Sequence, residues 1–221
     1  MKKVLILISL LLVLSACSSS NIDIEKVSNK VIDKMLYDTK TAVPNMNKPY
    51  YRYYLPTDVG RLNSTQLSEV FIKKDTKIVM NFITNDVIIE EYYTDKEAKQ
   101  TDEIKIDKND SSYIHIIKEY EVKNEDKKLK LDLMIVELND DEIVIKLVMD
   151  HVSFYSKMKK VELKNNLSSM ISIGKSVKFD KTKILNDYSL KTSVDSVSKE
   201  FDFTKQEIPE SGMVQDIIDK D

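Results

Sequence analysis

The chain has 221 residues, 42% hydrophobic and 32% charged, with a formal net charge of −3. That balance describes a globular chain rather than a disordered or membrane-embedded one, and mild acidity gives no support for nucleic-acid binding. The three glycines, Gly60, Gly174 and Gly212, stand alone, which excludes the glycine-rich phosphate loops of Rossmann and P-loop sites.

Lys2 and Lys3 precede an apolar run from Val4 to Leu12 that only Ser9 interrupts, and Leu14-Ser15-Ala16-Cys17 closes it. Charge, then apolar run, then small residues is the order of a secretory signal. The run is shorter than the roughly 20 apolar residues a spanning helix needs. Cys17 is the only cysteine, so no internal disulfide can form even in an oxidising compartment. Leu14–Cys17 resembles the lipobox of bacterial lipoproteins. The resemblance implies cleavage before Cys17, attachment of a two-chain acyl lipid (palmitate-type chains) to its sulfur and anchoring at the extracytoplasmic side of the cell membrane. Two acyl chains anchor stably where one is marginal. Loss of residues 1–16 removes Lys2 and Lys3 and takes the formal charge from −3 to −5. The lysine-, isoleucine- and asparagine-rich usage, with two arginines and no tryptophan, resembles that of proteins from low-GC Gram-positive bacteria.

After a short polar tether, residues 17–22, the spacing of Ile24, Val27, Val31 and Met35 predicts a helix from Asp23 to about Thr39, with Asp23 as N-cap. Pro49 and Pro56 bracket Tyr50-Tyr51-Arg52-Tyr53-Tyr54-Leu55, four tyrosines within five residues. Alternation places Tyr50, Arg52 and Tyr54 on one face and Tyr51, Tyr53 and Leu55 on the other. Either one face lies in the core with hydroxyls at its edge, or the aromatic face stacks on sugar rings or a peptide. Tyr50, Arg52 and Tyr54 are therefore the candidate binding residues.

Thr57–Gln66 reads as a polar loop. Glu69–Lys73, Lys77–Phe82 and Val87–Tyr93 read as strands with turns at 75–76 and 84–86, and 94–102 as a loop or helical turn. Ser112–Val122, Lys128–Leu138 and Glu142–Met149 read as longer strands with turns at 124–126 and 139–141. Leu129, Leu131, Leu133 and Ile135 share a face, as do Ile143, Ile145, Leu147 and Met149. Lys128, Lys130, Asp132, Glu142 and Lys146 oppose them, the pattern of an antiparallel sheet with one wet face. Lys157–Ile173 returns to a helical period with Leu163, Leu167, Met170 and Ile171 as its stripe and Gly174 at C′. The expected architecture is α+β: an antiparallel meander whose one face is covered by an N-terminal helix and a later helix, a single domain over 23–180. Residues 181–221 read as an extended or partly disordered tail.

Chemistry is sparse at this level. His115 and His151 lack the His-x-x-x-His or related ligand spacing. Asp150-His151 makes a metal or acid–base site imaginable, but a histidine satisfied beside a sheet explains each, so no metal and no cofactor is assigned. Asn139–Glu142 carries oxygen ligands without the spacing or glycine of a calcium loop. No Gly-x-Ser-x-Gly elbow is present, and Ser153 to Lys157 has the wrong spacing for Ser-x-x-Lys. A glycosidase needs two carboxylates a defined distance apart, which one sequence does not display. The reading is a membrane-anchored extracytoplasmic lipoprotein with a non-enzymatic binding or accessory role at the envelope. Its partner would be an envelope protein or a wall glycan. The alternative is a membrane-tethered hydrolase acting on wall or extracellular polymer.

Overall fold

The computed structural model describes residues 22–38, 42–92, 113–121 and 128–189. The signal segment, Cys17 and most of its tether, the 94–102 segment, the 124–126 turn and residues 190–221 lie outside the described residues.

Helix α1 (Ile24–Tyr37) starts at Asp23, whose side chain accepts from the Lys26 backbone N–H at 2.9 Å. Glu25 in its first turn and Lys34 in its last suit the helix dipole. Ile24, Val31 and Ile32 are buried, as the apolar stripe requires. Two short strands follow, β1 (Met46–Asn47) and β2 (Tyr51–Tyr53).

The main sheet contains β3 (Gly60–Ser64), β4 (Ser68–Lys73), β5 (Thr76–Phe82), β6 (Tyr113–Glu121), β7 (Lys128–Glu137), β8 (Glu142–Met149) and β9 (Val152–Lys159). Its seven strands run in the order β3-β4-β5-β9-β8-β7-β6, every neighbour antiparallel. Two meanders, β3-β4-β5 and β6-β7-β8-β9, thus join where β5 pairs with β9. Helix α2 (Thr84–Tyr92) leaves the first meander, and α3 (Leu163–Ser176) follows the second after a 3-10 turn. The chain then adds β10 (Lys178–Phe179), α4 (Lys181–Ile184) and a π-helical turn, Leu185–Ser189. β10 returns to β2, giving a three-stranded sheet in the order β1-β2-β10.

Register shows how the core is laid down. One row of facing residues crosses the main sheet as Ile116, Leu133, Leu147, Phe154 and Met80, all buried. Leu163, Leu167, Met170, Ile171 and Ile173 of α3 are buried against this face, and α1 packs on α3. This is the expected α+β architecture. Lys175 ties the helices together by donating to the carbonyl of Met35 at 2.7 Å and to that of Asp38 at 2.5 Å, at the end of α1.

Several elements differ from the sequence reading. Val87–Tyr93 was expected as a strand from its β-branched and aromatic content, yet Thr84–Tyr92 is helical with Val87 buried. Tertiary packing overrides a weak β preference there. Residues 157–159 close strand β9 rather than open a helix, because Val152, Phe154, Ser156 and Met158 alternate inward. The polar 57–66 stretch contains β3, exposed at every position, so it carries no alternation to read. Gly174 lies inside α3, not beyond its end. A Cβ on Gly174 would stand 2.9 Å from Met149 Sδ, so glycine allows helix and strand to approach. The opposing sheet face is drier than expected. Val144 and Lys146 are buried there, and the Lys146 ammonium lies 5.6 Å over the Tyr155 ring. Residues 181–189 are helical, with Ile184 and Tyr188 buried, so the folded unit runs past 180.

Candidate functional site

The tyrosine segment lies where the small sheet crosses the core face of the large one. Tyr51 stacks on Phe82 with ring centroids 4.8 Å apart and planes at 10°. Tyr53 meets Phe71 edge-on at 5.8 Å. Both are buried, as alternation predicts for the inward face. The outward set divides. Arg52 is exposed and Tyr54 half-buried, whereas Tyr50 is only 8% exposed. Tyr188 packs on Tyr50 at 5.1 Å and 64°, and the Lys183 ammonium lies 5.4 Å over its ring. Tyr50 is therefore a core contact for the C-terminal turn rather than an open stacking surface. Its cover comes from a residue 138 positions later, which local alternation cannot reveal.

Beneath Tyr51 and Tyr53 lies a buried charge that the sequence reading missed. Met80 of the apolar row faces Glu69 on β4, so a fully buried carboxylate ends that row. The Lys48 ammonium lies 3.2 Å from Glu69 Oε1. It also donates to the Ser64 hydroxyl and the Thr65 carbonyl, and Ser64 Oγ donates to Glu69 Oε1 at 3.2 Å. Glu69 Oε2 and the Tyr51 and Tyr53 hydroxyls are buried with no hydrogen bond of good geometry among the described residues. Burial first, and then the charge of Glu69, push both phenols well above the usual tyrosine range. The available signal was Glu69 at two residues from Phe71 and from Leu67, on the apolar face of its own strand. With so little exposed surface, this group fixes the small sheet on the large one and offers no ligand access.

The outer face of the small sheet does offer access. Asn47, Arg52 and Lys178 stand side by side across β1, β2 and β10, and all three are exposed. They border a shallow depression of about 480 Å³ with Pro49, Asp180 and Lys181. Lys181 bonds Glu91 at 2.5 Å. Arg52 and Lys178 form no ion pair among the described residues. Two adjacent cations on neighbouring strands repel each other, an arrangement that an anionic ligand relieves.

The histidines separate. His115 lies on the open face of β6, its Nε2 2.8 Å from Asp132 Oδ1, with Lys130 3.6 Å from the other oxygen of that carboxylate. Asp132 and burial raise the neighbouring Tyr113 phenol, burial being the larger cause. His151 is buried at the β8–β9 turn. Its Nε2 lies 3.5 Å from Asp150 Oδ1 and 3.6 Å from Glu90 Oε2. Sequence reasoning had His151 beside Asp150 but not Glu90, which the helical fold of α2 delivers.

Residues 1–18 match the family of prokaryotic membrane lipoprotein lipid attachment sites. The match includes Leu14–Cys17, and the chain is a membrane-anchored lipoprotein whose lipid is carried by the cysteine of that motif. No curated protein matches the chain. No described helix is long and apolar enough to cross a membrane.

Proposed function

We propose that this lipoprotein acts at the extracytoplasmic side of the cell membrane in a non-enzymatic binding role, and that the Arg52–Lys178 face of its small sheet receives an anionic envelope component. The observation that carries this reading is the pair of adjacent, exposed, unbridged cations on a chain that is otherwise acidic. The depression around them is polar and wide, suited to a carboxylate- or phosphate-bearing polymer rather than to a buried small molecule. Arg52 supplies a planar fork for such groups and Lys178 a point charge. Tyr54 flanks Arg52 in sequence and stays half-buried. Tyr50 contributes by holding the sheet to Tyr188.

Cosedimentation of the detergent-solubilised lipoprotein with isolated cell walls tests the reading, with anionic polymer either retained or chemically removed. Binding should require the anionic polymer and weaken as salt rises. The Arg52→Glu, Lys178→Glu double variant should lose at least about tenfold in affinity, about 1.4 kcal/mol, with an unchanged thermal midpoint. Equal binding by wild type and variant, or no binding by wild type, overturns the proposal.

A further inference from the structure

The strongest chemistry outside the small sheet lies at the turn that joins β8 to β9. Met149 pairs with Val152, so Asp150 and His151 are the whole turn, and Asp150 takes φ 48° to close it. The Ile83 N–H donates to the His151 carbonyl at 2.7 Å, fastening the turn to the junction between β5 and α2. Phe82 and Phe179 pack against the imidazole, with centroids 6.5 and 4.6 Å away. The ring is therefore enclosed by aromatic neighbours. Glu90 enters from α2, seven residues beyond the Ile83 junction. One ligand atom from each of Glu90, Asp150 and His151 lies within 4.8 Å of the other two.

The separations discriminate between two readings. A charge-assisted hydrogen bond between imidazolium and carboxylate closes to about 2.7–2.9 Å, as His115 and Asp132 do at 2.8 Å. His151 stands back from both carboxylates, at 3.5 and 3.6 Å. The two His151–carboxylate pairs, each atom about 2.0–2.2 Å from a common centre, would subtend roughly 105–130°, which includes the tetrahedral angle of zinc-type sites. The Glu90 and Asp150 oxygens, within 4.8 Å of each other, would have to draw to within about 4.4 Å to share that centre. We propose that Glu90, Asp150 and His151 form a three-ligand site for a divalent transition-metal ion of the zinc class, with its remaining coordination position facing solvent. A neutral imidazole and two carboxylates supply two negative charges, matching the ion. One nitrogen and two oxygens suit zinc and its first-row neighbours better than calcium, which takes six to eight oxygens. The histidine is 2% exposed while the Glu90 and Asp150 side chains are 30% and 29% exposed. The base of the site is thus buried, and its mouth is open.

The test uses the full chain in detergent, chelator-treated and dialysed, then titrated with zinc alone by calorimetry and by thermal midpoint. Wild type should bind one zinc and gain thermal stability as zinc rises. Glu90→Gln, an isosteric change at a partly exposed carboxylate, should weaken binding at least about tenfold while the zinc-free protein keeps a cooperative thermal transition. Asp150→Asn and His151→Gln should weaken it as much or more, and His115→Gln should not alter it. Glu90→Gln carries the result if the buried His151→Gln variant fails to fold. Zinc binding that Glu90→Gln and Asp150→Asn leave intact, binding abolished by His115→Gln, or no saturable zinc binding overturns the proposal. Calcium displacing zinc at equal concentration overturns the assigned metal class.

Discussion

At the scale of single residues, the molecule places a few polar groups inside an otherwise apolar core. Glu69 and Lys48 are the clearest case. Removing either partner would strand the other charge in a buried setting, whereas an apolar pair of matched volume is often neutral. The pair's contribution is therefore better read as fixing how β2 docks on β4 than as net stability. Tyr51 and Tyr53 share that environment, and their pH behaviour follows from it. Each phenol is raised, chiefly by burial, so the folded state keeps a proton that the unfolded state releases near the ordinary pKa of about 10. Stability from these groups is complete below pH 10 and is lost as pH rises toward their folded values. Each raised phenol contributes a slope of up to about 1.4 kcal/mol per pH unit in that window. Urea midpoints of wild type and Tyr53→Phe, followed from pH 8 to 11.5, should differ in slope above pH 10, with wild type falling more steeply because the variant lacks one titrating group. Curves that stay parallel would show that Tyr53 titrates alike in both states.

At the scale of elements, legibility tracked burial contrast. β7 and β8 alternate strongly, and Leu131, Leu133, Ile135, Ile143, Ile145, Leu147 and Met149 all proved buried, so their ranges could be read from the chain. α1 was equally plain because its cap and stripe agree. β3 could not be read, being exposed throughout. β9 was obscured because its inward positions include Ser156, which bonds the Lys77 carbonyl at 2.6 Å instead of supplying an apolar marker. α2 was misread because Val87, Ile88 and Ile89 favour strands locally. That error also hid Glu90 from His151, since only a helix returns it to the turn. The candidate binding residues fared unevenly: Arg52 kept its exposed place, and Tyr50 lost it to Tyr188. Strand register itself has a direct check. Leu133 is fully buried in the cross-sheet row, so Leu133→Ala should lower stability by about 2–5 kcal/mol. Lys130, exposed on the other face, should change it by less than about 0.5 kcal/mol when truncated to alanine. Denaturant midpoints ranked the other way would place the strand one residue out of register.

At the scale of the whole molecule, anchor and fold are separate devices. The first described element is α1, capped by Asp23, and Cys17 lies only six positions before that cap. Six residues span at most about 20 Å when extended, so the domain works within that distance of the bilayer surface. Its acidic balance is weakly repelled by anionic lipid, and the Arg52–Lys178 face presents two cations that form no ion pair among the described residues. At about 1 kcal/mol per basic residue near an anionic surface, that patch cannot substitute for a lipid anchor, whose chains contribute about 0.8 kcal/mol per buried CH₂. Membrane retention should therefore depend on Cys17 alone. Cys17→Ala should move the protein from the detergent-rich to the aqueous phase on cloud-point partitioning, at low and at high salt alike. Its far-UV circular dichroism after signal removal should match wild type, because the described core contacts begin at Ile22 and Ile24, beyond Cys17. Detergent partitioning that survives Cys17→Ala would place the anchor elsewhere in the chain. Retention of the variant on membranes at low salt only would mean that the cationic face itself docks on the bilayer, and the anionic component it receives would then be lipid.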